Sequence, residues 1–289
     1  MIKRGCPVVT DGSGHEKKLH GTDAFPLACY EEDAGTHPVR PHWHDEFEFL
    51  YVHGGESAVH VGTREARLRE GECIFINSGQ LHSVRGGILR SVVFHERAVA
   101  PEGSCFRSDI TERVSASGMA FITSAEIPHM DDLIRQAWEA ENTLDPDRQN
   151  LERYLVTRAM GLVKDSLRDE DKTQDACITE RMKKMLRYID LHLDEQLDNA
   201  LLCSVASVSE SVLLRMFRST VGTSPMQYVL SLRLDKAERL IVTTERTISD
   251  IAGMCGFSDM SHFARTFRER KGMTPTERRR ARERTDPFT

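Results

Sequence analysis

Long apolar runs are missing from the sequence: none approaches the roughly 20 consecutive residues that a membrane-spanning helix needs. The first ten residues also lack the apolar stretch of a secretory signal peptide. The seven cysteines are widely spaced, and no two of them stand in a C-x-x-C arrangement. We therefore expect a cytoplasmic protein without membrane association, in which the cysteines are reduced thiols rather than a disulfide framework.

Signatures of catalysis are equally scarce. We find no glycine-rich nucleotide-binding loop, no Ser/His/Asp constellation with usable spacing and no paired-carboxylate motif of high specificity. Hydrophobic residues make up 39% and charged residues 29% of the 289 residues, which is typical of folded globular proteins. A chain of this length is sufficient for two domains of ordinary size.

The net charge of −6 conceals a division of the chain into an acidic and a basic part. Residues 178–289 contain 19 basic and 15 acidic side chains, a net charge of +4, so the preceding 177 residues carry −10. This asymmetry suggests that only the second part meets a polyanion such as nucleic acid.

Hydrophobic patterning divides the chain further. Short β-rich runs separated by glycines fill residues 36–95 and predict an all-β barrel or sandwich. Apolar residues recur at helical spacing from 126 to 170, with a break at 145–147, and the chain beyond 178 is helical throughout. We therefore expect an α+β protein of two domains. The predicted segments are a barrel at 1–125, a helical dimerisation or connector segment at 126–170, a polar linker at 171–177 and an all-α domain at 178–289.

The last third of the chain contains an internal repeat with an offset of 50 residues. Both copies follow the pattern apolar-x-Arg-x-Phe-Arg-x3-Gly-x-[Ser/Thr]-Pro, in which Arg215 is aligned with Arg265. In each copy a short helix and a tight turn precede a second helix, for which Ser209 and Ser258 are suitable N-caps. The repeat thus predicts two helix-turn-helix units, and ordinary amphipathic hairpins in a helical bundle are the alternative.

Residues 178–282 resemble the AraC-type DNA-binding domain. The matching residues are Tyr188, Ile189, Val208, Ser209, Phe217, Gly222, Ser224, Pro225, Tyr228, Arg233, Leu234, Ala237, Leu240, Ile248, Ile251, Ala252, Gly256, Phe257, Phe263, Phe267, Gly272, Thr274 and Pro275. The resemblance implies seven helices, two of which are recognition helices in successive major-groove segments about 34 Å apart. By position it implies six base-facing residues: Ser211, Leu214, Arg215, Met260, Ser261 and Arg265. Cys203 and Ser207 depart from the usual Ala and Gly of the family, which makes the first unit less typical.

Histidines in the predicted barrel form a second pattern, His42-x-His44-x3-Glu48, followed by His82 after several glycine turns. In one strand the first three residues would share parity and point to the same face. The pattern resembles the three-His, one-Glu metal set of the cupin barrel, which also serves as the sensor domain of many AraC-type regulators. Asn77, where cupins usually have proline, departs from it.

Three interpretations of His42, His44, Glu48 and His82 are open at this point. They form a site for a divalent metal such as Zn, Ni, Fe or Mn, which imidazole and carboxylate ligands suit. Alternatively, they hydrogen-bond a small effector without a metal. In the third interpretation, the pattern has only a packing role.

The combination predicts a sequence-specific transcription regulator controlled by a small-molecule effector in a cupin-like barrel, and not an enzyme. Promoter DNA and the effector are the expected partners, and RNA polymerase is a further candidate. The helices at 126–170 are expected to form a homodimer, although their apolar faces could equally pack on the barrel within one chain. The alternative function is a metal-dependent cupin enzyme, such as a dioxygenase or isomerase, with an appended helical domain. Two outward recognition helices argue against it.

Overall fold

The computed structural model describes residues 3–4, 8–10, 14–99, 111–117, 119–167 and 174–285 of the chain. Its strands are β1 (Lys3–Arg4), β2 (Leu27–Asp33), β3 (Val39–His42), β4 (Phe47–Gly54), β5 (Glu56–Val61), β6 (Arg64–Arg69), β7 (Cys73–Ile76), β8 (His82–Arg85), β9 (Ile88–Phe94) and β10 (Phe121–Thr123). Its helices are α1 (Glu96–Val99), α2 (Arg113–Ala116), α3 (Met130–Ala140), α4 (Arg148–Asp165), α5 (Gln174–Leu191), α6 (Asn199–Ala206), α7 (Glu210–Thr220), α8 (Pro225–Thr243), α9 (Ile248–Met254), α10 (Met260–Lys271) and α11 (Pro275–Thr285). The predicted α+β class with two domains is confirmed.

The strands form two sheets that face each other. One sheet has six strands in the order β1-β2-β9-β4-β7-β10, and the other has four in the order β3-β8-β5-β6. Neighbouring strands are antiparallel except for β1 and β2. Apolar side chains from both sheets, including Leu50, Val59, Ile74 and Val84, fill the space between them. The result is the cupin-like barrel that the sequence predicts.

Strand β4 is buried on both faces because its alternate side chains face different cores. Phe47, Phe49 and Tyr51 pack toward α3 and α4, whereas Glu48 and Leu50 line a pocket between the sheets. The same parity that gives β4 its outer aromatic face therefore places one carboxylate inside the barrel.

Helices α3 and α4 pack with their apolar faces on the six-stranded sheet. The indole Nε1 of Trp138 donates a hydrogen bond to the carbonyl oxygen of Tyr30 at 3.0 Å, and the guanidinium of Arg90 lies 3.8 Å from the indole ring centroid. The outer face of α4 exposes Leu151 and Tyr154, with exposed fractions of 47% and 59%. Within the described residues, the segment 126–167 thus packs on its own barrel and also exposes apolar side chains on the outer face of α4.

Helices α5 to α11 form the C-terminal domain and match in number the seven helices that the AraC-type resemblance implies. Helix α8 belongs to two apolar cores, one shared with α5–α7 and the other with α9 and α10. Helix α5 begins at Gln174, so the end of the predicted linker 171–177 is helical, and residues 168–173 lie outside the described residues.

In the described ranges, no individual helix has both the length and the apolar character required to cross a bilayer. The consecutive helices α6 and α7 reach those limits only together, across a bend of 89°.

Candidate DNA-reading helices and histidine pocket

The first helix-turn-helix unit consists of α6, a turn and α7. Asp198 caps α6 by accepting a hydrogen bond from the amide of Leu201 at 2.8 Å. The helix ends at Ser207, whose φ of 54° lies in the left-handed region. That region favours glycine. Ser207 therefore adopts a backbone conformation that residues other than glycine rarely take, at a position where the family usually has glycine.

The second unit consists of α9, a turn and α10. Gly256 supplies the left-handed turn with a φ of 77°, and a Cβ at this position would lie 2.7 Å from the carbonyl oxygen of Leu193. The N-cap of α10 is Asp259, which accepts hydrogen bonds from the amides of Ser261 at 2.7 Å and His262 at 3.3 Å. The prediction of Ser258 as this cap is wrong, because the carboxylate of the next residue reaches two free amides.

Asp259→Ala is expected to lower the free energy of unfolding by about 1 kcal/mol, since it removes the acceptor for both amides. Ser209 is the matched control: it occupies the N-cap of α7, but its side chain makes no cap hydrogen bond. Ser209→Ala should therefore lower the free energy of unfolding by clearly less than Asp259→Ala, because it removes no cap hydrogen bond. Urea unfolding of the full chain measures both, and equal losses would contradict the difference between the two caps.

The recognition helices bury one face and expose the other. In α7, Leu213, Met216 and Phe217 are buried, and in α10, Phe263 and Phe267 are buried. The six residues predicted to face bases are all exposed: Ser211, Leu214, Arg215, Met260, Ser261 and Arg265. Two of these are apolar, and an apolar side chain in the major groove can contact a thymine methyl group.

Arg233 on α8 connects the two units and was not singled out for this role by sequence reasoning. Its guanidinium donates to the carbonyl oxygens of Leu193 at 2.9 Å and Glu195 at 2.6 Å, in the segment between α5 and α6. A Cβ at position 256 would lie 2.8 Å from the same guanidinium. Arg233 thereby holds α8 to the segment between α5 and α6, and its guanidinium lies against the turn at Gly256.

The histidine pattern converges in the barrel. His42 ends β3, Glu48 lies on β4, His82 begins β8 and His44 lies between β3 and β4, so the expectation of a single strand is wrong although the side chains still meet. All four are buried, each at most 6% exposed. One nitrogen from each histidine lies within 4.8 Å of the others, close to the span of a single ion whose ligands are about 2.1 Å away.

Backbone carbonyls orient all three imidazoles. The Nδ1 atoms of His42 and His82 lie 2.9 Å from the carbonyl oxygens of Arg40 and Gln80, and Nδ1 of His44 lies 3.2 Å from that of Glu46. A carbonyl can only accept, so Nδ1 donates and the Nε2 atoms carry lone pairs when the rings are neutral. This is the outer arrangement that orients metal-binding histidines.

Two of the Nε2 atoms lie next to a carboxylate oxygen and not next to a hydrogen-bond donor. The Oε2 atom of Glu48 lies 3.3 Å from Nε2 of His44 and 3.1 Å from Nε2 of His82. Two lone pairs facing one carboxylate oxygen require a cation between them, either protons or a metal ion. The donor set therefore fits a divalent metal.

Electrostatics in the pocket favour the protonation states in which His42 and Glu48 can bind a metal ion, a neutral imidazole and an ionised carboxylate. Burial and the neighbouring His82 lower the pKa of His42 well below its ordinary value, which keeps this imidazole neutral. Burial alone would raise the pKa of Glu48, but hydrogen bonds to His44 and His82 outweigh it and hold that pKa well below its ordinary value. The pocket thus combines a neutral imidazole with a carboxylate.

Sequence reasoning missed the opposite wall of the pocket, which comes from residues 14–20 and β2. Glu16 Oε2 lies 3.9 Å from Nε2 of His42, and Nδ1 of His20 lies 2.9 Å from the hydroxyl of Tyr30. Burial raises the pKa of Glu32, also in this wall, to about 7. The cavity has a volume of about 40 Å³, which is room for a few water-sized groups.

Comparison with known proteins assigns both domains. The family model for the AraC-like ligand binding domain matches residues 25–141, and that for a helix-turn-helix domain matches residues 202–281. The chain is 25% identical over 284 residues to the uncharacterized HTH-type transcriptional regulator YdeC of Bacillus subtilis (strain 168), covering 92% of this chain and 96% of YdeC. It is 24% identical over 293 residues to the HTH-type transcriptional activator RhaS of Enterobacter sp. (strain 638), covering 92% and 98%.

One similar solved structure is a transcriptional regulator with an AraC-type DNA-binding domain from Chromobacterium violaceum. It is 32% identical, with a TM-score of 0.35, and covers 37% of this chain and 96% of that one. The named relatives are transcription regulators, which confirms the expectation of a regulator over that of a cupin enzyme. The chain belongs to the AraC family of transcription regulators, in which a ligand-binding barrel is joined to a DNA-binding helix-turn-helix domain.

Proposed function

We propose that this regulator senses its effector in the histidine pocket and that a divalent cation is part of the bound species. His42, His44, Glu48 and His82 would hold the ion, and Glu16 and Glu32 face the same cavity. The observation that carries the proposal is the pair of carbonyl-tethered histidines whose Nε2 atoms lie 3.1 and 3.3 Å from one Glu48 oxygen. A metal-free pocket would need protons at those positions instead.

We further propose that α7 and α10 both enter the major groove. The six exposed residues named above would face bases, with Arg215 and Arg265 able to donate two hydrogen bonds to guanine. The repeat supports this assignment, and so does the burial of equivalent positions in the two helices, Leu213 and Phe217 in α7 and Phe263 and Phe267 in α10. Contacts from the surrounding basic residues to phosphates would add a salt-dependent share of the affinity.

The test is equilibrium binding of fluorescently labelled DNA from upstream of the chain's own gene, followed by anisotropy. We expect affinity for this DNA to exceed that for a shuffled sequence, to fall steeply with rising salt, and to differ between chelator-treated protein and protein loaded with one equivalent of Zn²⁺. Equal affinity for both sequences would contradict sequence-specific reading. Equal affinity with and without Zn²⁺, at proven Zn²⁺ occupancy, would contradict metal-dependent sensing.

We also propose a homodimer formed by the outer face of α4. Leu151 and Tyr154 are one helical turn apart on this face, and Leu144 in the preceding loop is 99% exposed. A second copy of the chain would cover these apolar side chains, which are on the side of α4 that does not contact the barrel.

The double variant Leu151→Arg with Tyr154→Arg is expected to be monomeric at concentrations where the wild type is dimeric, because it places two charges in the proposed contact. Gln149→Arg is the control, since Gln149 is an exposed α4 residue on a different face. Sedimentation velocity measures the three proteins. A dimeric double variant would contradict the interface.

Four cysteines within the described ranges, Cys29, Cys73, Cys203 and Cys255, are free thiols. Free thiols are typical of proteins that work in a reducing compartment. They support a cytoplasmic location, where promoter DNA is also found.

A further inference from the structure

The barrel contacts the first helix-turn-helix unit at the end of its recognition helix. Thr220, the last residue of α7, donates from its hydroxyl to the carbonyl oxygen of Gly62 at 2.7 Å. Ser83 on β8 donates from its hydroxyl to the carbonyl oxygen of Thr220 at 3.1 Å. The guanidinium of Arg85 donates to the carbonyl oxygen of Val221. We call Gly62, Ser83 and Arg85 the docking face.

Strand β8 carries two of the three docking-face residues, Ser83 and Arg85, and also the pocket residue His82. Side chains alternate along a strand, so His82 and Val84 line the pocket, whereas Ser83 and Arg85 reach α7. Leu81, immediately before His82, is fully buried in the apolar core that α8 shares with α5–α7. Each side of His82 is therefore fixed to the helical domain.

The residues around His42 repeat this arrangement at the end of β3. Arg40 forms an ion pair with Asp235 on α8, and the ammonium of Lys183 on α5 lies 3.9 Å from the ring centroid of Trp43. Two of the four pocket residues, His82 and His42, thus stand between residues that contact the C-terminal domain.

The docked position leaves the proposed DNA face of α7 open. Arg85 lies at the C-terminal end of the helix, where a cation is favourable, and a Cβ on Gly222 would lie 2.5 Å from its guanidinium. Meanwhile Ser211, Leu214 and Arg215 remain exposed. Docking therefore orients the recognition helix rather than covering it.

We infer that filling the histidine pocket stabilises the docking of α7 on Gly62, Ser83 and Arg85, so that effector binding fixes the orientation of the first recognition helix relative to the barrel. This inference rests on the proposed sensing function of the pocket. The docked structure is the one in which the Nε2 atoms already converge, so a ligand that needs this convergence favours the docked state.

Thermodynamic linkage makes the coupling reciprocal: if filling the pocket stabilises docking by a given factor, docking strengthens ligand binding by that factor, and loosening the docked contact weakens ligand binding by up to that factor. The second unit is joined to the first through α8 and Arg233. In the proposed dimer, docking would set the spacing between the two copies of α7 and hence between half-sites on DNA.

The test uses the full chain with Zn²⁺ as the probe. The double variant Ser83→Ala with Thr220→Val removes two docking hydroxyls, and Ser57→Ala is the control because this buried serine donates at 2.8 Å to Gly86 within the barrel. By competition with a fluorescent chelator, we expect the double variant to bind Zn²⁺ about fivefold more weakly than wild type, at the lower end of typical couplings, and the control to bind as wild type does.

A second readout needs no variant: hydrogen exchange of the amides at 217–222 in the wild type should become slower when Zn²⁺ is added. If wild type binds Zn²⁺ but the docking variant has the same affinity and the exchange is unchanged, the inference is overturned and the pocket proposal stands. If wild type does not bind Zn²⁺, the metal proposal is overturned and the inference with it.

Discussion

Arg265→Ala is expected to weaken binding to the cognate site by about 1–3 kcal/mol, because a bidentate contact from arginine to guanine contributes that much discrimination. Arg265 is exposed on α10, whose start is fixed by two hydrogen bonds to the Asp259 carboxylate. The measurement is the dissociation constant for upstream DNA at fixed salt, in parallel with that for a shuffled sequence.

The pattern of losses separates base reading from phosphate binding. If Arg265→Ala lowers the affinity for cognate DNA alone, Arg265 contacts a base. If it lowers the affinity for both sequences equally, Arg265 contacts the phosphate backbone. Arg239→Ala on α8 is the control, an exposed arginine outside both recognition helices, and should change neither value. Arg215→Ala should cost less than Arg265→Ala, because Cys203 and Ser207 make the first unit the less typical helix-turn-helix.

His82→Ala is expected to weaken Zn²⁺ binding at least about 100-fold, since even residues that only orient metal ligands cost 10- to 100-fold when mutated. Glu48→Gln should have a comparable effect, because it keeps the side chain's shape and removes the charge that faces two imidazoles. Isothermal titration with Zn²⁺ measures both variants. Near-ultraviolet circular dichroism checks that the barrel is folded.

The control for the metal variants is His53→Ala. His53 lies on β4 with Glu48 but is exposed at the far end of the strand, so its removal should leave Zn²⁺ affinity unchanged. If His82→Ala and His53→Ala bind Zn²⁺ equally, then the ion is held elsewhere and the pocket assignment is wrong.

The DNA-binding half could be predicted well from the sequence because its signals are local. Each copy of the repeat shows the same short pattern, in which the turn and the apolar positions of the recognition helix are only a few residues apart. The turn residue Gly256 belongs to the second copy. The error at Ser258 was an error of one position. Both Ser258 and Asp259 are acceptable caps by type, and only the backbone shows which side chain reaches the free amides.

The pocket could be predicted only on the side that carries a spaced motif. The opposite wall depends on backbone pairing of the N-terminal segment, in which the amide of Glu16 donates to the carbonyl oxygen of Trp43 at 2.8 Å. No periodicity marks that pairing, so Glu16 and His20 gave no signal. The docking face lies beyond sequence reasoning for a similar reason, because Thr220 and Gly62 are separated by 158 residues.

Hydroxyl-radical footprinting on the upstream DNA tests most directly whether α7 and α10 both read the operator. Each subunit should protect two segments on one side of the duplex, separated by one helical turn, or about 34 Å. Arg265→Ala should remove one of these segments and Arg215→Ala should weaken the other. A single protected segment per subunit, unchanged by Arg215→Ala, would contradict reading by both helices.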